Sequence, residues 1–292
     1  MKFGNGYAYG GNTWDCDIEK YKKVGKKYAD FGFDMFEISA DHLYHMTDQE
    51  LEEMKALGQE YGLTFSTNSG PSKKYDLSSV DENVRRNGVD YFKKILHNMN
   101  IIGSPVLAGA IYSFWPSDFV EIDKEAAWER SIPKLHEIGE VAESYGIECA
   151  LEVLNRNETY ILTDCKEAIE YCRRVNSKAV NILLDTYHMN IEEDDMCEAI
   201  RMAGDMLGHF HVGENNRKLP GMNNSLNWDE IGQALRDINY QKGVVMEPFL
   251  KCGGAVGKDI RVWRDLSEGA DEETMDRYLK ESLAFLKMKF ER

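Results

Sequence analysis

An α/β chain closed into a (β/α)8 barrel, a single domain over residues 1–292, is the fold that this sequence predicts, on three observations. Short apolar runs alternate with amphipathic segments along the whole chain, eight of each. No stretch between them has the composition of a linker. In the second half four of the apolar runs end on a residue of metal-ligand type: CALE at Glu152, NILLD at Asp185, GHFH at His211 and VVME at Glu247. Their intervals are each about one strand plus one helix long, the repeat of an α/β barrel.

In chain order the strand-like runs cover 2–9 (KFGNGYAY), 33–39 (FDMFEIS), 63–67 (LTFST), 105–111 (PVLAGAI), 147–152 (IECALE), 180–185 (VNILLD), 207–212 (LGHFHV) and 243–247 (GVVME). Between and after them, 17–30, 48–61, 81–99, 124–145, 164–174, 194–203, 228–237 and 272–289 read as amphipathic helices. In the first of these Ile18, Tyr21, Val24 and Tyr28 recur at spacings of three and four, with Lys22, Lys23, Lys26 and Lys27 between them, as a helix on the outside of a sheet requires. Strict alternation implies parallel strands with right-handed crossovers, and eight units imply closure. The competing architecture is an open doubly wound sheet.

Composition narrows the partners. Hydrophobic residues make up 42% of the chain, enough for a sizeable core and far from the composition of disorder. A formal charge of −16 repels nucleic-acid backbones and anionic membrane surfaces, so a small neutral or cationic ligand is expected. No apolar stretch approaches the roughly 20 residues of a membrane span, and MKFGNGYAYGG lacks the apolar centre of a signal peptide; a cytoplasmic protein is expected. The cysteines at 16, 149, 165, 172, 197 and 252 show no CxxC spacing and read as reduced, mostly buried thiols.

In a barrel every parallel strand delivers its last residues to one rim, so Glu152, Asp185, His211 and Glu247 can converge on a point. Three carboxylates and one imidazole form a hard, oxygen-rich shell that suits Mn²⁺, Co²⁺ or Mg²⁺; a structural zinc site would have used cysteine. Just past these ligands stand His188, three residues after Asp185, and Glu158, in the loop after Glu152; either braces a ligand or contacts a substrate. Arg217, in GENNRKLPG, braces a ligand carboxylate, binds a substrate hydroxyl or is a solvated loop residue. His209 shares the strand face of His211 one layer deeper and reads as barrel-core packing.

Three patterns are set aside. GGAVGK near 257 has Cys252 and Asp259 where a phosphate loop needs Gly and Ser or Thr. No Gly-x-Gly-x-x-Gly follows the first strand, which leaves a dinucleotide without support. EEDD at 192–195 lacks the ligand spacing of an EF-hand and reads as the acidic start of a helix.

The segments EVLNRNETY, LLDTYHMNIEED, HFHVGENNRKLPG, VVMEPF and GGAVGKDIRVWRD, with YAY at 7–9 and AGAIYSFWP at 108–116, closely resemble the ketose 3-epimerases, the family of D-tagatose and D-allulose (psicose) 3-epimerases. The resemblance implies a barrel assembling as homodimers or homotetramers, a Mn²⁺ or Co²⁺ ion on Glu152, Asp185, His211 and Glu247, and sugar contacts from Glu158, His188 and Arg217, with Trp115 lining the pocket. The chain departs from the family pattern where Gly6 and Gly10 replace aromatics and where Asn68, in TNSGP, replaces a glycine. Gly6 and Asn68 are therefore candidate specificity positions.

The chemistry follows from those groups. A ketose carries its C2 carbonyl beside a C3 hydrogen, and a cation chelated by O2 and O3 stabilises the enediolate left when that hydrogen departs as a proton. Epimerisation returns a proton to the other face, a task for two flanking carboxylates, and Glu152 and Glu247 are the natural pair. The alternatives are a related aldose–ketose isomerase, a metal-dependent phosphodiesterase of the apurinic endonuclease type, against which the charge argues, and a non-catalytic sugar-binding barrel.

Overall fold

The computed structural model describes residues 1–116, 118–120 and 122–291. Eight strands, β1 (Lys2–Gly6), β2 (Met35–Ser39), β3 (Thr64–Ser69), β4 (Val106–Gly109), β5 (Glu148–Glu152), β6 (Val180–Asp185), β7 (Leu207–Val212) and β8 (Gly243–Met246), pair in parallel in chain order. β8 pairs back onto β1 through Phe3↔Val244 and Gly4↔Val245, which closes the barrel and excludes an open sheet.

The helices are α1 (Ile18–Phe31), α2 (Ala40–His45), α3 (Asp48–Tyr61), α4 (Glu82–Ile102), α5 (Lys124–Tyr145), α6 (Cys165–Val175), α7 (Thr186–Glu192), α8 (Met196–Ala203), α9 (Trp228–Asp237), α10 (Gly254–Asp259) and α11 (Glu272–Phe290). α1, α3, α4, α5, α6, α8, α9 and α11 are the eight expected from periodicity. Each begins after an Asp, Thr or Asn whose side chain accepts a backbone N–H of the first turn, one of the donors a helix start otherwise leaves unpaired. The acidic run 192–195 serves this purpose: Asp195 caps α8.

Three short helices were not expected. α2, α7 and α10 follow β2, β6 and β8, and six or seven residues are too few to display a helical period. α10 occupies the rejected GGAVGK segment. The first strand is also shorter than the expected 2–9: Tyr9 N–H turns back to the Gly6 carbonyl and Gly11 N–H to that of Ala8. The aromatic composition of 7–9 imitates a strand while serving the rim. β3, by contrast, runs past 67 and carries Asn68 in the sheet.

The main apolar core lies between the outer face of the sheet and the helices, with Phe36, Phe65, Leu107, Leu151, Leu184 and Phe210 fully or almost fully buried in it. On the opposite, inward face β4, β5 and β6 contribute a small apolar cluster of Val106, Ala108, Ala150 and Leu183. β2, β3 and β7 instead fill the interior with Glu37, Ser66 and His209, all buried. Among the described residues no helix is long and apolar enough to cross a membrane.

Candidate active site

The period of two along each strand carries the inward face from Ala150 to Glu152, from Leu183 to Asp185 and from His209 to His211, while Glu247 follows the last residue of β8. Register aligns Glu152 with Leu183 and Asp185 with His211, so the ligand-type residues reach the same rim. One atom from each of Glu152, Asp185, His211 and Glu247 lies within 4.8 Å of all the others. Asp185 and His211 are fully buried, and Glu152 nearly so.

These residues fit a divalent cation. His211 Nδ1 lies 3.6 Å from Glu152 Oε1 and 3.9 Å from Glu247 Oε1, and among the described residues it has no hydrogen-bond partner. A buried imidazole lone pair facing hard oxygens is a ligand set, whereas as plain structure it is an unsatisfied polar atom. Three clustered carboxylates also repel one another unless positive charge sits among them. Burial pushes the carboxyls of Glu152 and Glu247 up, that of Glu247 to about 8, a cost that a bound cation removes.

Arg217 supplies part of that charge. It is buried in the left-handed region (φ 65°), and its Nη1 donates to Asp185 Oδ2 (2.9 Å) and Glu247 Oε2 (2.8 Å), with Tyr187 stacked 3.8 Å from the guanidinium. Its burial removes the reading of a solvated loop residue, and it both braces two of the clustered carboxylates and lines the cavity. Asp185 is held twice, since its Oδ1 accepts from Tyr187 N–H and caps α7.

His188 extends from α7 beside the cluster, with Nε2 3.7 Å from both Glu152 Oε1 and Asp185 Oδ2. The Asn155 backbone N–H donates to its Nδ1 (3.1 Å), and the donor-only Arg217 Nη2 lies 3.2 Å from its Nε2, so donors face both ring nitrogens. Burial and then the charge of Arg217 push His188 down to about 3, so it is neutral at pH 7. Glu158 accepts from Trp115 Nε1 (2.9 Å) and Asn155 Nδ2 (3.1 Å). Trp115 meets Trp14 edge-on at 6.1 Å.

Glu152 and Glu247 open onto one cavity of about 470 Å³, the size of a small-molecule site, whose wall includes Gly6, Asn68, Trp115, Glu158, His188 and Arg217. Asn68 reaches the cluster, with Nδ2 3.4 Å from Glu247 Oε1. Gly6 leaves space: a Cβ built there meets only the Met246 carbonyl at 4.0 Å.

Every site residue expected from the sequence comes to this cavity or its floor, but the list was incomplete. It missed Tyr7, Trp14 and Phe249 on the upper wall, Asn155 behind His188, and Glu37. Glu37 had a usable signal, a carboxylate at an inward position of the apolar strand MFEIS. His209 needs correction: it lies inside the barrel as expected, yet its Nε2 bonds Glu37 Oε2 at 3.0 Å, because a buried imidazole requires a polar partner rather than apolar packing. Burial opposes charge on Glu37, but His211 and His209 outweigh it and hold that carboxyl well below the usual range.

A profile of the xylose isomerase-like TIM barrel family matches residues 26–287. The D-psicose 3-epimerase of Ruminiclostridium cellulolyticum is 43% identical over 286 residues, 98% of this chain and 96% of that protein. The chain belongs to the ketose 3-epimerases of this barrel family. The D-psicose 3-epimerase of Agrobacterium fabrum is 41% identical over 98% of both chains. The crystal structure of the Clostridium cellulolyticum H10 D-psicose 3-epimerase with D-tagatose superposes with a TM-score of 0.96 over 99% of both chains, at 43% identity. Ketose 3-epimerases are carbohydrate isomerases, and the buried carboxylate and histidine cluster of this one is able to hold a metal ion.

Proposed function

We propose that this ketose 3-epimerase inverts C3 of free ketoses of the D-allulose/D-fructose and D-tagatose/D-sorbose type, with Glu152 and Glu247 as its acid–base pair. One observation carries the assignment of roles: two carboxylates from strands three steps apart around the barrel, β5 and β8, approach the same buried imidazole nitrogen at 3.6 and 3.9 Å. A divalent cation on Glu152, Asp185, His211 and Glu247 supplies charge that polarises the C2 carbonyl and offsets the negative charge growing on O2 and O3. One glutamate removes the C3 proton and the other delivers a proton to the opposite face, with the roles exchanged in the reverse reaction.

The remaining groups position. Arg217 fixes the carboxylates of Asp185 and Glu247, neutral His188 lines the sugar pocket beside Arg217, and Glu158 with Trp115 forms the wall against the sugar. Mn²⁺ or Co²⁺ is the preferred ion, with Mg²⁺ a weaker fit. The reading includes one barrel domain over 1–292, a homodimer or homotetramer, a cytoplasmic setting in which the cysteines stay reduced, and a small-molecule ketose as partner, without nucleic acid or membrane.

Gly6 and Asn68 shape selectivity. Open space at Gly6, on backbone that tolerates a side chain, leaves the far end of the sugar loosely held. The neighbouring tyrosines are committed elsewhere, Tyr9 OH to the Met275 carbonyl at 2.8 Å and Tyr7 OH to that of Trp14 at 3.3 Å. At Gly10, in contrast, a φ of 75° disfavours the aromatic of the family pattern. The test is direct: purified protein with Mn²⁺ or Co²⁺ is incubated with D-allulose, D-fructose, D-tagatose and L-ribulose. C3 epimers are expected. Aldose products point instead to an aldose–ketose isomerase, and binding without turnover to a sugar-binding barrel.

A further inference from the structure

One layer below the ligand cluster, Glu37, His209 and His211 form a second group of ligand-type side chains. It has the geometry of a hydrogen-bonded anion rather than of another cation site. Glu37 Oε2 accepts from Ser66 Oγ (2.9 Å) and His209 Nε2 (3.0 Å). Its Oε1 lies 3.1 Å from His211 Nε2 and 3.4 Å from Asn68 Nδ2. Three donors from β3 and β7, Ser66, Asn68 and His209, thus hydrogen-bond one carboxylate from β2, and His211 Nε2 stands beside it.

Two of these neighbours of Glu37 lead to the site above. His211 turns Nε2 down to Glu37 and Nδ1 up to Glu152 and Glu247. An anion under Nε2 keeps the ring proton there and leaves the Nδ1 lone pair free for a metal. Asn68 places the same amide nitrogen 3.4 Å from Glu37 Oε1 and 3.4 Å from Glu247 Oε1. Its two hydrogens can serve one carboxylate each, and a flipped amide would set its oxygen against both. The amide oxygen packs over Gly109, where a Cβ would approach it to 2.5 Å.

We infer that Glu37 is a positioning residue that holds His211 from beneath and, through the Asn68 amide, Glu247 from the side. The inference rests on the proposed divalent-cation site. It ties the first half of the barrel, which among the described residues offers no ligand of its own to that site, to the two strands whose ligands need fixed geometry.

The test measures Mn²⁺ affinity of metal-free protein directly, by competition with a fluorescent chelator, in the wild type, Glu37→Gln and Asn68→Ala. Removing a partner that orients a metal ligand costs about 10- to 100-fold in metal affinity or activity. Glu37→Gln is expected to bind Mn²⁺ about 10- to 100-fold more weakly. Asn68→Ala is expected to keep Mn²⁺ affinity within about 3-fold while kcat falls about 10-fold at saturating Mn²⁺ and ketose. Wild-type affinity in a folded Glu37→Gln overturns the inference alone; a wild type that binds no Mn²⁺ overturns the metal reading and the inference with it. Should Glu37→Gln fail to fold, Asn68→Ala decides: unchanged kcat overturns the link to Glu247.

Discussion

The two halves of the barrel share one fold and do different work. Glu152 and Asp185 end β5 and β6, His211 is next to last in β7 and Glu247 follows β8, and the segments after these strands bring Glu158, His188 and Arg217. β1 to β4 add no residue to that cluster; they contribute Gly6, Glu37, Asn68 and Trp115, which shape the cavity or brace the ligands. In the proposed reaction the second half holds the groups that exchange protons with the substrate, and the first half sets what fits and how firmly those groups are held. Changes in the second half should therefore strike the rate directly, and changes in the first half selectivity, metal affinity or, through the Asn68 contact to Glu247, the rate at one remove.

The largest effect expected is from the metal. Chelation should abolish turnover, added Mn²⁺ or Co²⁺ should restore it, and elemental analysis should find about one ion per chain. Full activity in verified metal-free protein contradicts the role given to the second half. Next come Glu152→Gln and Glu247→Gln, each losing at least the roughly 10²–10⁴-fold that general acid–base help provides, read as kcat with metal content measured alongside. Glu158→Gln should be milder and fall partly on KM, because its carboxylate is held by Trp115 and Asn155 at the cavity wall.

The division also explains what was legible in the sequence. The four ligand-type residues could be read because each closes an apolar run, and strand ends in a parallel barrel meet. Seven of the eight strands stand close to their expected positions; the exception is 2–9, where aromatic side chains face the rim and only Lys2–Gly6 pairs. The first half was harder to read because its contributions are conditional on three-dimensional neighbours. Glu37 is an ordinary strand carboxylate until Ser66, Asn68, His209 and His211 surround it. α2 and α7 start at Ser39 and Asp185, strand-end residues whose side chains cap the helix, a coincidence that periodicity does not register.

Gly6→Tyr tests the first half. Filling the open space should raise selectivity for D-allulose over competing ketoses by about 10- to 200-fold in kcat/KM, or about 1–3 kcal/mol, with metal affinity unchanged. An unchanged ranking of ketoses in a folded variant contradicts the role given to Gly6.

The smallest effect is on stability. In metal-free protein the folded pKa of Glu247 is raised from 4.5 to about 8, chiefly by burial. A raised folded pKa contributes stability that is complete below pH 4.5 and is lost as the pH rises through 8. Thermal melts of metal-free wild type should therefore lose Tm relative to Glu247→Gln across that window, and saturating Mn²⁺ should remove the loss. Parallel Tm profiles would show that Glu247 does not titrate there.

Proton exchange through Glu152 and Glu247 is the central claim, and epimerisation in D₂O tests it most directly. With the metal-loaded enzyme, the ketose product analysed by NMR should carry solvent deuterium at C3. A product that keeps the original hydrogen at C3, with no deuterium from solvent, contradicts it and points to hydride transfer or internal return.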